Sequence, residues 1–276
     1  MLHKTSDKDI NTIVIDLDGV VWKLNELVTG ADKAILSFRE YGYRIIFLTN
    51  NSSMSRAQIL EKLITMGIVA SMDEILSSTS TTALFIAQNN PNSKIFVVGT
   101  QGLKDEMFNA NLIVVEDPAQ AEFLVAGFDN ELSYKKLEGA LIAHLNGARF
   151  IATNDDGMLP TETGYHPGAG AVIGAISGII KKAPEVVVGK PNEKIIREVL
   201  KVMDVDLEKT IIIGDSIETD IQLANNLHIS SVLVLTGNTR SRSEVFKSKY
   251  IPSYIVDSIA DVPSLMLDLS IDEAII

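Results

Sequence analysis

Short runs of Ile, Val and Leu, several apolar at every position, alternate along this chain with stretches of helical periodicity. A strand that is apolar on both faces must be covered on both faces, as in a parallel sheet flanked by helices. The pattern predicts strands over 12–15, 44–48, 94–98, 122–126, 149–152, 185–188, 210–213 and 231–235. Helices are predicted over 31–41, 56–66, 134–146, 193–203 and 220–226. In the fourth of these, Ile195, Ile196, Val199, Leu200 and Met203 make one apolar stripe. The expected fold is α/β, a doubly wound parallel-sheet core.

Composition removes several function classes. The chain has no cysteine, so a disulfide framework, a thiolate nucleophile and a thiolate metal site are all excluded. His3, His144, His166 and His228 lie too far apart for zinc-ligand spacing. A formal net charge of -12 argues against nucleic acid and against an anionic membrane surface as partners. No apolar run reaches the roughly 18–20 residues of a membrane span. The polar start, residues 1–9, lacks the apolar stretch of a signal peptide, and the expected location is cytoplasmic.

Three of the predicted strands end in polar groups. The first runs into Asp16-Leu17-Asp18-Gly19, the second into Thr49-Asn50-Asn51-Ser52, and the seventh into Gly214-Asp215. Ligand sites in open α/β sheets form outside the carboxyl ends of the strands, where the strand order reverses. Asp16, Asp18 and Asp215 would gather carboxylates there with no His or Cys, an oxygen-only set suited to magnesium. A single Asp after a strand can equally be a turn residue or a helix cap; three at strand ends argue for chemistry. Thr49 and Asn50 offer a hydroxyl and an amide to phosphate oxygens, or they end a strand and cap the next helix. Lys190, in Gly189-Lys190-Pro191, precedes a predicted helix and is either a solvated surface lysine or an anion ligand. Asp220 could cap a helix or support a metal site.

These segments, in this order and separation, resemble the four motifs of the haloacid dehalogenase superfamily of phosphatases. The resemblance is nearest to the NagD-like and p-nitrophenylphosphatase subfamily, which carries a large α/β cap of the C2 type. Phe150-Ile151-Ala152-Thr153-Asn154 and Pro167-Gly168-Ala169-Gly170-Ala171 resemble stretches of that cap and of its return to the core. The resemblance implies a Rossmann-like catalytic core from 1–80 and 185–276, with an inserted cap at 81–184 that sets specificity and has hinges near Thr81 and Pro184. It implies that Asp16 is the nucleophile and Asp18 the general acid and base. Thr49, Asn50 and Lys190 would bind the phosphoryl group. Magnesium would be held by Asp16, the Asp18 backbone carbonyl and Asp215, with Asp220 behind them. An Asp at position 18 favours phosphate transfer over carbon–halogen cleavage, because dehalogenases lack it.

The implied activity is magnesium-dependent hydrolysis of small phosphate monoesters through an aspartyl phosphate. p-Nitrophenyl phosphate, sugar phosphates, phosphoglycolate and nucleotides all fit. A phosphotransferase to an alcohol acceptor, or a non-catalytic module that binds a phosphorylated metabolite, are the alternatives. Caps of this kind can also supply a homo-oligomer interface. One departure bears on substrate: the cap reads Asn154-Asp155-Asp156 where relatives often have Asn-Pro-Asp. Asp155 and Asp156 read as a turn with Gly157, Trp22 as packing or a gate, His166 as a solvated loop residue, and Gly168-Ala169-Gly170 as a close-packed helix start.

Overall fold

Thr12, Ile13, Val14 and Ile15 form β1 (Thr12–Ile15), buried at every position as a doubly covered strand must be. The computed structural model describes residues 10–161 and 164–271, so the polar start at 1–9 lies outside the described residues. A short antiparallel hairpin follows, β2 (Trp22–Lys23) and β3 (Glu26–Leu27), and then α1 (Ala31–Glu40), β4 (Arg44–Thr49), α2 (Arg56–Thr65) and β5 (Ile75–Ser77). Next come α3 (Ser78–Asn89), β6 (Lys94–Val98), α4 (Gln101–Asn109), β7 (Ile113–Val114), β8 (Phe123–Ala126), α5 (Tyr134–Leu145) and β9 (Arg149–Ala152). A second hairpin, β10 (Met158–Thr161) and β11 (Gly164–Pro167), leads to α6 (Ala169–Ile180), β12 (Val186–Val187) and α7 (Glu193–Val202). The described residues close with β13 (Thr210–Gly214), α8 (Gln222–Leu227), β14 (Ser230–Val234), α9 (Arg242–Val245), β15 (Tyr254–Val256) and α10 (Val262–Ile271).

These elements fall into two compact units. One comprises the chain up to Leu48, Lys62–Ile75 and the chain from Arg197; the other comprises Thr49–Glu61 and Leu76–Ile196. The first is built on a six-stranded sheet of order β15-β14-β13-β1-β4-β5. β1 pairs in parallel with both β13 and β4, aligning Ile15 with Ile213 and with Phe47. From β1 the chain builds outward in one direction and later returns to add β13, β14 and β15 on the other side. The order therefore reverses between β1 and β13, where such a sheet opens a crevice at its carboxyl edge.

The second unit carries a five-stranded sheet of order β12-β9-β8-β6-β7, with parallel pairing throughout. Leu124, Phe150, Val172 and Ile176 pack into its core, and α5 lies so close that a Cβ on Gly139 would press on the Phe96 ring. The doubly wound parallel α/β architecture read from the alternation of runs is the one observed. No helix among the described residues is long and apolar enough to cross a membrane.

The eight predicted strands are all present, with ends shifted by at most one residue. The helix expected over 220–226 starts instead as a π-helical turn, Ile217–Ile221, that continues into α8. α3 escaped the periodicity reading because it opens Ser78-Thr79-Ser80-Thr81-Thr82, all weak helix formers. Its start is secured by a capping box, in which Ser80 N–H donates to Ser77 Oγ at 3.2 Å and Ser77 N–H to Ser80 Oγ at 3.1 Å. Thr81, where one hinge was expected, lies in the first turns of this helix and is buried.

Ile213 is fully buried on the strand that leads to Asp215. Ile213→Ala should lower unfolding free energy by about 2–5 kcal/mol, read from urea denaturation.

Candidate active site

Asp16 follows directly on β1, and its N–H donates to the Ile213 carbonyl of β13 at 2.9 Å. Asp215 follows directly on β13. Parallel register thus sets two carboxylates side by side at the sheet's point of reversal. The third is Asp220. The π-helical turn brings it back over Gly214, and its Oδ2 accepts from Ser216 N–H at 3.1 Å. Any Cβ on Gly214 would collide with the Asp220 carboxyl group, so only glycine admits this approach. One carboxylate oxygen from each of Asp16, Asp215 and Asp220 lies within 4.8 Å of the others, and all three residues are buried.

The donor set is entirely oxygen, anionic and enclosed, which fits a hard divalent cation such as magnesium. The surroundings are trimmed to match. Cβ atoms on Gly19 or Gly237 would strike the Asp215 carboxyl group. Gly19 also sits at φ +89°, which lets the chain turn back after Asp18. Asn238 N–H donates to Asp215 Oδ2, and Thr239 N–H to the Asp215 carbonyl at 2.9 Å. This loop after β14 went unremarked in the sequence, where Thr236-Gly237, just beyond the apolar end of the strand, was the available signal.

Asp18 departs from the carboxylate grouping expected of the Asp16-Leu17-Asp18 spacing. Its side chain does not join Asp16 and Asp215; its Oδ1 accepts from the Trp22 indole N–H at 2.8 Å. The chain reverses immediately after Leu17, whose carbonyl accepts from Val21 and Trp22 N–H at 2.8 and 3.1 Å, so residues 16 and 18 do not continue one strand face.

The second unit holds the other predicted residues. Thr49 closes β4, is buried, and its Oγ1 accepts from Asn51 N–H at 3.0 Å. The Asn50 side chain pairs with the Lys190 backbone: its Oδ1 accepts from Lys190 N–H at 2.8 Å, and its Nδ2 donates to Lys190 O at 3.0 Å. Close approach there needs Gly189, whose Cβ would stand 2.5 Å from Asn50 Oδ1. Lys190 is only 2% exposed, which excludes the solvated-lysine reading.

Asp156, read from the sequence as a turn residue, belongs with this group. Its Oδ2 accepts from Asn50 Nδ2 at 3.1 Å and from Asn154 Nδ2 at 2.9 Å. Burial pushes its carboxyl above the ordinary carboxylate range, against the opposing pull of the two asparagine hydrogen bonds and the Lys190 charge. Contacts across more than a hundred positions leave no mark in local sequence. His166 is exposed, as expected, but on β11, paired with Leu159 of β10, rather than on a loop. Gly168 caps α6, and Cβ atoms on Gly168 or Gly170 would meet the Asp156 and Asp155 carbonyls, so this is close packing at a helix start.

The fold and the carboxylate cluster define a metal-ready site at the switch point of a doubly wound sheet, and comparison with known proteins gives the family. Residues 13–113 match the haloacid dehalogenase-like hydrolases, and residues 187–262 match the HAD-hydrolase-like family. Sugar-phosphatase AraL of Bacillus subtilis is 39% identical over 92% of this chain and 92% of its own length. An acid sugar phosphatase of Staphylococcus saprophyticus is 34% identical over 92% of this chain and 97% of its own. Among solved structures, p-nitrophenyl phosphatase from Archaeoglobus fulgidus superposes with a TM-score of 0.87 at 37% identity, covering 93% of this chain and 99% of that one. The chain belongs to the haloacid dehalogenase-like hydrolases, on their NagD-like and p-nitrophenylphosphatase branch. It is a phosphoric monoester hydrolase.

Because the folded-state pKa of Asp156 is raised, its stabilising contribution is full below the ordinary carboxylate pKa and is lost as pH rises through the folded value. Asp156→Asn should remove that part of the decline, seen as a flatter curve of unfolding free energy against pH above the carboxylate range.

Proposed function

We propose that the chain is a magnesium-dependent phosphatase of small phosphate monoesters, sugar phosphates foremost, working through an aspartyl phosphate on Asp16. The observation that carries this reading is the buried grouping of Asp16, Asp215 and Asp220 at the carboxyl ends of β1 and β13. Buried carboxylates this close repel unless a cation or a proton intervenes. Supporting it, the relatives are named for sugar phosphates and p-nitrophenyl phosphate.

Asp16, Asp215 and Asp220, with the Asp18 carbonyl, would hold the metal. When bound, magnesium supplies positive charge that lets an anionic phosphate approach an anionic carboxylate. A carboxylate oxygen of Asp16 attacks phosphorus, and the bond from phosphorus to the ester oxygen breaks. Thr49, Asn50 and Lys190 hold the phosphoryl oxygens, the lysine as a fixed positive charge and the others as hydrogen-bond donors. Asp18 gives its proton to the departing alkoxide, which leaves as the alcohol. The ionised Asp18 then takes a proton from water; the resulting hydroxide attacks phosphorus, the bond to Asp16 breaks, and inorganic phosphate departs. Residues 81–184 act as a cap that selects the substrate, and the enzyme works in the cytoplasm.

Phosphate release from p-nitrophenyl phosphate should require magnesium and cease on chelation. Asp16→Asn should reduce kcat at least about a thousandfold, as expected when the attacking group is lost. Asp220→Asn should raise the magnesium concentration for half-maximal activity by about 10–100-fold. Absence of release by the wild type on this substrate and on a panel of sugar phosphates would overturn the reading.

A further inference from the structure

Trp22 is the single tryptophan of the chain and is completely buried. A buried indole N–H must find an acceptor, and this one has Asp18 Oδ1 at 2.8 Å. The arrangement is built into the backbone. Asp18 and Trp22 form a bridge, and Gly19 N–H donates to the Trp22 carbonyl at 2.7 Å. The ring is fixed from its face by Lys62, whose Nζ lies 4.2 Å from the ring centroid. The same ammonium donates to the Leu24 carbonyl at the hairpin tip at 2.5 Å. Leu24 has φ +52°, a costly conformation for a residue with a side chain, and Lys62 fastens the turn that contains it. Lys62 is half-buried, and burial holds its pKa below the ordinary lysine value against the opposing pull of the Asp18 charge.

We propose that Trp22, clamped by Lys62, is a positioning residue for the Asp18 carboxyl group, holding Oδ1 as the acceptor oxygen and so fixing the carboxyl orientation in which the proton is transferred. This rests on the two-step mechanism proposed above. The indole is a donor only. It can bond the carboxylate or the carbonyl oxygen of the neutral acid, so it fixes the orientation of the carboxyl group in either protonation state. A carboxyl group without this bond can rotate about its terminal torsion, which is broad and roughly two-fold.

Leaving-group dependence tests the proposal. p-Nitrophenolate leaves without a proton, whereas the alkoxide of glycerol phosphate needs one. Trp22→Phe keeps the ring beneath Lys62 and removes only the N–H. It should lower kcat on glycerol phosphate about tenfold more than kcat on p-nitrophenyl phosphate, a fraction of what general acid catalysis supplies. Lys62→Met should shift the ratio the same way by a smaller factor, and it carries the test if Trp22→Phe does not fold. Equal losses on both substrates, or none, would overturn the proposal. The lone tryptophan provides a second reading: Asp18→Ala should shift its emission spectrum, and an unchanged spectrum would overturn the contact itself. Failure of the wild type to hydrolyse either ester would overturn the phosphatase mechanism and the proton-transfer role with it. Uniform losses in an active enzyme would overturn only the positioning role.

Discussion

Three carboxylates buried within 4.8 Å of one another are the constraint on which the first unit depends. At an effective interior dielectric near 20, each like-charged pair at that separation costs about 3 kcal/mol or more. Left to itself, a chain would not gather them. The parallel pairing of β1 with β13 imposes the neighbourhood of Asp16 and Asp215, because their strands end level with one another. The π-helical turn imposes the third, since an ordinary helix from residue 217 would carry Asp220 along its own axis. Gly19, Gly214 and Gly237 supply the room, each standing where a Cβ would collide with one of these carboxyl groups. A hydrophobic sheet of fully buried strands holds the repulsion in place, and the divalent cation of the proposed mechanism would relieve it.

The second unit meets the opposite problem with the same economy of atoms. Lys190 is buried, and its backbone is held through both hydrogen-bonding groups by a single amide, that of Asn50. The same Asn50 amide, together with Asn154, bonds the Asp156 carboxyl group, so groups from three parts of the chain, the Lys190 backbone among them, form one network. Such a network is stable only if its members are satisfied. That requirement explains why Asn50 and Gly189 are the residue types found there: an amide offers donor and acceptor together, and glycine lets the backbones close on it.

What the sequence disclosed follows from which physical signals are local. Strands buried on both faces must be apolar throughout, so β1, β4, β13 and β14 were legible and, with them, the carboxyl edge where Asp16, Thr49 and Asp215 sit. Long-range geometry was not. Asp156 reaches Asn50 through the tertiary fold, and nothing around Asp155-Asp156-Gly157 distinguishes it from a turn. α3 was hidden because its early residues favour other conformations and are held by capping and burial. The two-residue strands β2 and β3 were too short to show alternation.

That last omission separates Asp16 from Asp18. Two residues apart, the pair reads as one acidic site, since a continuing strand would point both side chains the same way. The reversal at Leu17 ends that equivalence within one turn. Asp16 remains with Asp215 and Asp220, in buried, all-oxygen surroundings that fit a hard cation. Asp18 is turned toward an indole N–H backed by an ammonium, in surroundings that orient a carboxyl group without placing it in the cluster. The proposed mechanism needs a nucleophile and a proton carrier close enough to share one phosphate and different enough not to compete for one role. The short hairpin after Asp18 provides that difference, because it brings Trp22 back beside Asp18 and presents its ring to Lys62.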